Sequence, residues 1–380
     1  MSRLFALPFA LAAAAALGAC ASQKVVEQPP VAKADADNPF FTASSLPYQM
    51  PPFDQIRDEH YLPAFERGMA EELAEIEAIA NNPEAPSFEN TIVAMEQTGE
   101  ILARVSRVFF NLNSAHTNPA MQEVQKTVSP KLAAHRDAIF LNPKLFNRVE
   151  TLHGQRDALG LDPESKRLLE RYYIDFVRAG ARLSEEDKEQ LRAINAELAS
   201  LGTTFAQNVL RETLDSAVIV DTAEELDGLS DAQIRAAAAA ATARGHEGKY
   251  LISLMNTSGQ PPLARLTNRA LRQRILEASL NRGARDNAHD NRPVVARVAA
   301  LRAERAALLG YPSHAAYVLE NATAGTPEAV NRMLAGLAPA AVANARQEAA
   351  DIQALIDAQG GGFELQAWDW DFYAEQVKQA

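Results

Sequence analysis

Histidine, cysteine, aspartate and glutamate are the side chains that could hold a metal ion or move a proton, and their spacing limits what this chain can do. The seven histidines are His60, His116, His135, His153, His246, His289 and His314. No two lie within five positions of each other, so no His-x-x-x-His pair presents two imidazoles to a zinc ion on one helical face. His246-Glu247 starts like such a motif, but Tyr250 stands where the second histidine is needed. Asp58-Glu59-His60 could form an acid/base cluster. It sits just before a helix, where the macrodipole favours carboxylates, and a helix-start role is the expected one. Asp286, His289 and Asp290 fall in a polar connection between two helices, which reads as a solvated loop. With no Gly-x-Ser-x-Gly elbow, no phosphate loop and no Gly-x-Gly-x-x-Gly turn, serine-hydrolase, nucleotide and dinucleotide chemistry have no foothold. The residues assign no catalytic group and no metal ligand in this chain.

The elements that would position any such groups are globular in composition, with 47% hydrophobic and 23% charged residues. A formal charge of -12 argues against nucleic acid as a partner, because phosphate binding needs clustered Lys and Arg.

The N-terminus reads as an address. Arg3 precedes a short apolar run from Leu4 to Leu17, and Leu17-Gly18-Ala19-Cys20 closes it. The run is too short to span a bilayer comfortably. Cys20 is the only cysteine, and Leu-Gly-Ala-Cys resembles the bacterial lipobox, in which the cysteine becomes the acylated first residue. An ordinary cleavage site at Ala19-Cys20-Ala21 is the competing reading. Ala21 after the cysteine favours the outer membrane, so the expectation is a periplasm-facing protein held by a lipid on Cys20. Residues 1–20 are then a signal peptide and 21–38 a flexible tether.

From there the pattern is helical. Ser44 to Asp54 carries Pro47, Pro51 and Pro52 among Leu46, Tyr48, Met50 and Phe53, and predicts an extended strap whose apolar side chains dock on the helices. Pro63 marks the first turn of a helix to about Ala80, and a second helix follows Ser87 with one broad apolar face from Ile92 to Phe109. Asn118-Pro119, Asn142-Pro143 and Asp162-Pro163 each pair a polar cap with proline at the first helical position, which predicts three more starts. Ser184 opens what reads as the longest helix; its seam of Leu191, Ile194, Leu198, Leu201 and Phe205 predicts an antiparallel partner. Only 217–220 and 250–254 look like strands, separated by a helix that Ser230 caps. Helices resume at Thr267 to Arg282, Arg292 to Leu309, after Ser313, and from Thr326-Pro327 to Ala358. The fold class is therefore all-α dominated, a mostly helical array over 39–366 with a small β insert near 217–254.

Both tryptophans fall in Trp368-Asp369-Trp370-Asp371-Phe372-Tyr373, after the glycine run at 360–362. A glycine run followed by aromatics at helical spacing is how a new structural unit begins, so 367–380 reads as the start of a further region.

Taken together, Asn38-Pro39-Phe40, Leu46-Pro47-Tyr48, Phe53-Asp54-Gln55-Ile56, His60-Tyr61, Pro63-Ala64-Phe65, Phe88, Asn90-Thr91-Ile92, Ala115-His116-Thr117-Asn118, Asn256-Thr257, Leu309-Gly310-Tyr311 and Trp368 to Val377 resemble the bacterial peptidyl-dipeptidases of the thimet oligopeptidase family of zinc metallopeptidases. The resemblance runs in order from about Asn38 to Ala380. It implies the N-terminal half of a mostly helical, two-half channel fold that admits short unfolded peptides. It also implies a Zn2+ cofactor, oligopeptide substrates shortened by C-terminal dipeptides, and a monomer. The family's His-Glu-x-x-His helix has no matching position here, so the chain alone is expected to be inactive. Trp368, Trp370 and Phe372 are expected to find their remaining partners beyond Ala380. A rival expectation is a complete, non-catalytic helical lipoprotein that binds peptides or a partner protein, and a C-terminus able to bury the Trp368 to Val377 cluster would favour it.

Overall fold

A computed structural model describes residues 37–255 and 259–379 of the chain. Cys20, the signal peptide and nearly all of the tether lie outside the described residues, as does Asn256-Thr257. The first helices are α1, Tyr61–Ala80, then a π-helical turn at Phe88–Val93 that runs into the short α2, Ala94–Glu96, and α3, Glu100–Ala115. The sequence predicts one helix from Ser87 through Phe109, but Gly99 interrupts it in the left-handed region (φ 74°). A side chain there would run into the Glu72 carboxylate, and the Gly99 amide donates to Glu75 Oε2 at 2.9 Å, so α1 itself dictates where α3 restarts. Close approach of α1 to α3 needs Gly68 as well, since a Cβ would stand 2.7 Å from the Leu102 nitrogen.

Three proline starts follow as the caps predict. Asn118, Asn142 and Asp162 accept from backbone amides of α4 (Pro119–Phe140), α5 (Pro143–Gln155) and α6 (Pro163–Ala179). Ser184 caps α7, Glu185–Asp215, which lies antiparallel to α4: Asn195 reaches Asp137, Thr203 reaches Ser129 and Gln207 reaches the Gln122 carbonyl. Along the predicted seam, Leu191 and Ile194 are buried, whereas Phe205 is 42% exposed. The strands are β1, Val218–Val220, and β2, Tyr250–Ile252, paired antiparallel with Ile219 opposite Leu251 and bridged by α8, Asp231–Ala243.

The chain then forms α9 (Arg269–Leu280), α10 (Arg292–Leu308), α11 (His314–Leu319), α12 (Pro327–Ala358) and α13 (Trp370–Gln379). At 32 residues α12, not the 31-residue α7, is the longest described helix. Pro339 lies inside it without ending the helix, which runs to Ala358 as the sequence predicts. Among the described residues no helix is long and apolar enough to cross a membrane.

Burial concentrates in separate clusters. Tyr61, Phe65, Val105, Phe109 and Val128 fill the space among α1, α3 and α4, and Ile92, Leu145, Leu152, Leu169 and Phe176 fill that among α4, α5 and α6. A third core, with Val220, Leu226, Leu254, Leu263 and Ile275, holds the β pair against α8 and α9. The strap departs from expectation: Leu46, Met50 and Phe53 are each exposed and Tyr48 entirely so. Tyr48 and Gln49 both adopt positive φ there, which turns the segment into a 3-10 bend instead of an extended run. The bend lifts the apolar side chains off the helices.

Candidate functional site

Two arginine-carboxylate centres stand out, and neither is legible from local spacing. At the first, α9 presents Arg269 and Arg272 to the turn that starts α13. The Asp369 carboxylate is fully buried and accepts from Arg269 Nε (3.0 Å) and Nη2 (2.8 Å), from Arg272 Nη2 (2.8 Å) and from the Gln366 amide (3.1 Å). Arg272, itself buried, also donates to the carbonyls of Trp368, Leu266 and Thr267. Burial pushes the Asp369 carboxyl up, but these guanidinium bonds outweigh it and hold the group below its usual range. The aromatics close over the charges: Arg269 lies 4.1 Å from the Phe363 ring centre and Arg272 4.4 Å from that of Phe372. Tyr373 buries against Ile352 and Ile356 of α12, with Trp370 and Phe372 packed beside it. α9 and α12 supply part of the surface on which Trp368, Trp370 and Phe372 pack, and all three side chains stay half-buried. Exposed apolar side chains also lie on α12, where Met333, Leu334 and Leu337 are more than half exposed.

The second centre is a cavity of about 480 Å3 at the meeting of α4, α6, α7, α10 and α11. Asp137 on α4 is buried, and its two oxygens accept only from Asn195 Nδ2 on α7, at 2.9 and 3.1 Å. Burial pushes its carboxyl up to about 6, against the opposing pull of Asn195 and the nearby arginines. Arg305 on α10 donates to Asn195 Oδ1 at 3.4 Å, and its Nε–H is buried without a partner.

The residues singled out in the sequence are not brought together. His60 Nδ1 accepts from the Arg57 amide, and Asp58 accepts from Asn118, so that group is a helix start. His135 pairs with Glu72 at 2.8 Å, and His153 stacks on Tyr173 at 3.7 Å. His246 lies in the turn before β2. Asp286 and Asp290 both pair with Arg292, while Glu212 of α7 ties down the same loop through Arg285, Asn287 and the Gly283 amide. Among the described residues no group of three or more His, Cys, Asp or Glu is placed to hold a metal ion. The described residues do not fit the zinc that the family resemblance implies.

Arg269 and Arg272 clamp Asp369 at the start of α13, and the sequence that carries them has known counterparts. The profile described as Peptidase family M3 matches residues 263–380, the part that contains α9 and the clamp. That part of the chain is thus similar to the M3 metallopeptidases. The chain is 45% identical over 341 residues to the dipeptidyl carboxypeptidase of Escherichia coli (strain K12), covering 90% of this chain and 50% of that protein. It is 30% identical over 346 residues to the oligopeptidase A of Salmonella typhimurium, again covering 90% and 50%. Mitochondrial intermediate peptidase of Neurospora crassa is more distant, at 21% over 310 residues, 80% of this chain and 36% of that protein. The resemblance seen in the sequence is thus to dipeptidyl carboxypeptidases and oligopeptidases of family M3. The chain spans about half the length of the curated relatives it matches.

Proposed function

We propose that this chain is the N-terminal, helical part of an exported zinc peptidyl-dipeptidase that releases dipeptides from the C-termini of oligopeptides. The observation that carries the proposal is 45% identity to a dipeptidyl carboxypeptidase over 90% of the chain, running with no change of fold class from the first described helices to the Asp369 clamp. Chain length supports the division of labour, since the matched relatives are about twice as long and the described residues provide no metal-binding set. On this reading α1 to α12 form the wall that frames the peptide channel, and the ligands that hold zinc come from polypeptide outside these 380 residues. A lipid on Cys20 tethers the assembly to a membrane that faces the periplasm.

The test is hydrolysis of an N-acylated tetrapeptide by the purified chain, with and without a chelator, beside the same chain supplied with the remaining half of a matched peptidase. Chelator-sensitive release of dipeptide is expected from the combined sample and not from the chain alone. Chelator-sensitive cleavage by the chain alone would refute the division of labour.

One observation supports the rival, a non-catalytic binding protein: Tyr373 and Asp369 are buried within the chain itself. The exposed length of α12 weighs against it, because residues 331–348 are exposed on every side of the helix, Met333, Leu334, Leu337 and Val342 among them.

A further inference from the structure

The cavity around Asp137 holds charges that the protein leaves unspent. Of the charged groups on its walls, Asp175 is paired with Arg171 and Arg178 with Glu320. Arg305 and Arg136 have no carboxylate within ion-pair distance among the described residues. Arg136 only lies over the Phe140 ring, and the buried Arg305 Nε–H has no acceptor. Asp137 is 6% exposed and touches no cation directly. The Asn195 amide stands between Asp137 and Arg305, its Nδ2 toward the acid and its Oδ1 toward the guanidinium. A buried carboxylate and a half-buried guanidinium are therefore held one amide apart, neither in a direct ion pair, beside open volume of about 480 Å3. A simple anion would satisfy Arg305 but face the Asp137 carboxylate uncompensated, and a simple cation would meet the reverse problem.

We propose that this cavity binds a small zwitterion, a free amino acid or dipeptide, with its ammonium at Asp137 and its carboxylate at Arg305 and Arg136. The groups come from α4 and α10, so an occupant would tie the two helices together across α7. The proposal needs no metal and stands apart from the peptidase reading.

The test is isothermal titration calorimetry of the full chain with glycylglycine, N-acetylglycylglycine and glycylglycinamide. Saturable binding of glycylglycine is expected, weakened at least about tenfold by blocking either end, as for one lost charge-assisted contact. Arg305→Gln should weaken glycylglycine about tenfold as well, with helicity checked by circular dichroism. Arg136→Gln, on an exposed side chain, supplies the same test should Arg305→Gln fail to fold. Absence of saturable heat, equal binding of the acetylated peptide, or unchanged affinity in the folded arginine variants would each overturn the proposal.

Discussion

Asp369 and Asp137 are both buried carboxylates set among arginines, and they end in opposite states. Asp369 meets two guanidiniums directly and is held below the usual carboxylate range, whereas Asp137 meets one side-chain amide and is pushed up to about 6. The difference is geometric. Arg269 and Arg272 sit three apart on one face of α9, so both point at the same turn. The arginines near Asp137 come from separate helices and stop short of it. Burial alone raises a carboxyl, and only direct, charge-assisted bonds reverse that. A closed centre fastens the fold; an open one has capacity to spare.

The largest effect should come from breaking the closed centre. Asp369→Ala leaves Arg272 buried without its counter-charge, and unfolding in urea should show a loss of about 3–5 kcal/mol. A loss below about 1 kcal/mol would mean that the clamp is incidental.

Glu212 is a second closed centre and sharpens the contrast. Bonds from Arg285, against the cost of burial, lower its carboxyl to about 2 from an ordinary 4.5. A depressed carboxyl stabilises the fold above the unfolded pKa, and that contribution disappears as pH falls through the folded value. Glu212→Gln should therefore cost about 2–3 kcal/mol at neutral pH. The gap to the unmodified chain should narrow as pH drops below 4.5 toward about 2, and a gap independent of pH would contradict the assignment.

At the open centre the sign reverses. Asp137 titrates higher folded than unfolded, so its contribution is fully present below 3.8 and is lost as pH rises through about 6. Asp137→Asn should remove this slope and make the chain more stable than the unmodified one at neutral pH, by about 2 kcal/mol. Guanidinium titrations at acid and neutral pH measure it; parallel curves for the two proteins would break the comparison.

The smallest effect belongs to the exposed length of α12. Leu337 is 61% exposed, and Leu337→Ser should change the stability of this chain by less than about 0.5 kcal/mol. A cost above about 2 kcal/mol in thermal melts would show that something covers this helix in solution.

Helix starts were legible because each is a local device. A side-chain oxygen at Asn118, Asn142, Asp162, Ser184, Ser230, Ser313 or Thr326 accepts from an amide two or three residues on, and Pro119, Pro143, Pro163 and Pro327 fix the first turn. The antiparallel partner of α7 and the β1–β2 pairing followed from apolar periodicity. The strap did not, because the positive φ of Tyr48 and Gln49 reverses the side-chain direction that an extended reading assumes. Nor did the break at Gly99, which depends on carboxylates of α1 more than twenty residues away.

Sequence by itself determined the mostly helical class, the order of helices with their caps, the lack of a paired-histidine zinc motif and the resemblance to the M3 peptidases. Each rests on residues close together in the chain or on an ordered set of such stretches. Only the tertiary structure decided that Asp369 is locked by two arginines of α9 and that Asp137, Asn195 and Arg305 meet at one cavity. These charges lie about a hundred residues or more apart in sequence, except for the 58 residues between Asp137 and Asn195, so no local period records them. Coulombic and hydrogen-bond energies depend on distance in space, and that is set by how the helices pack.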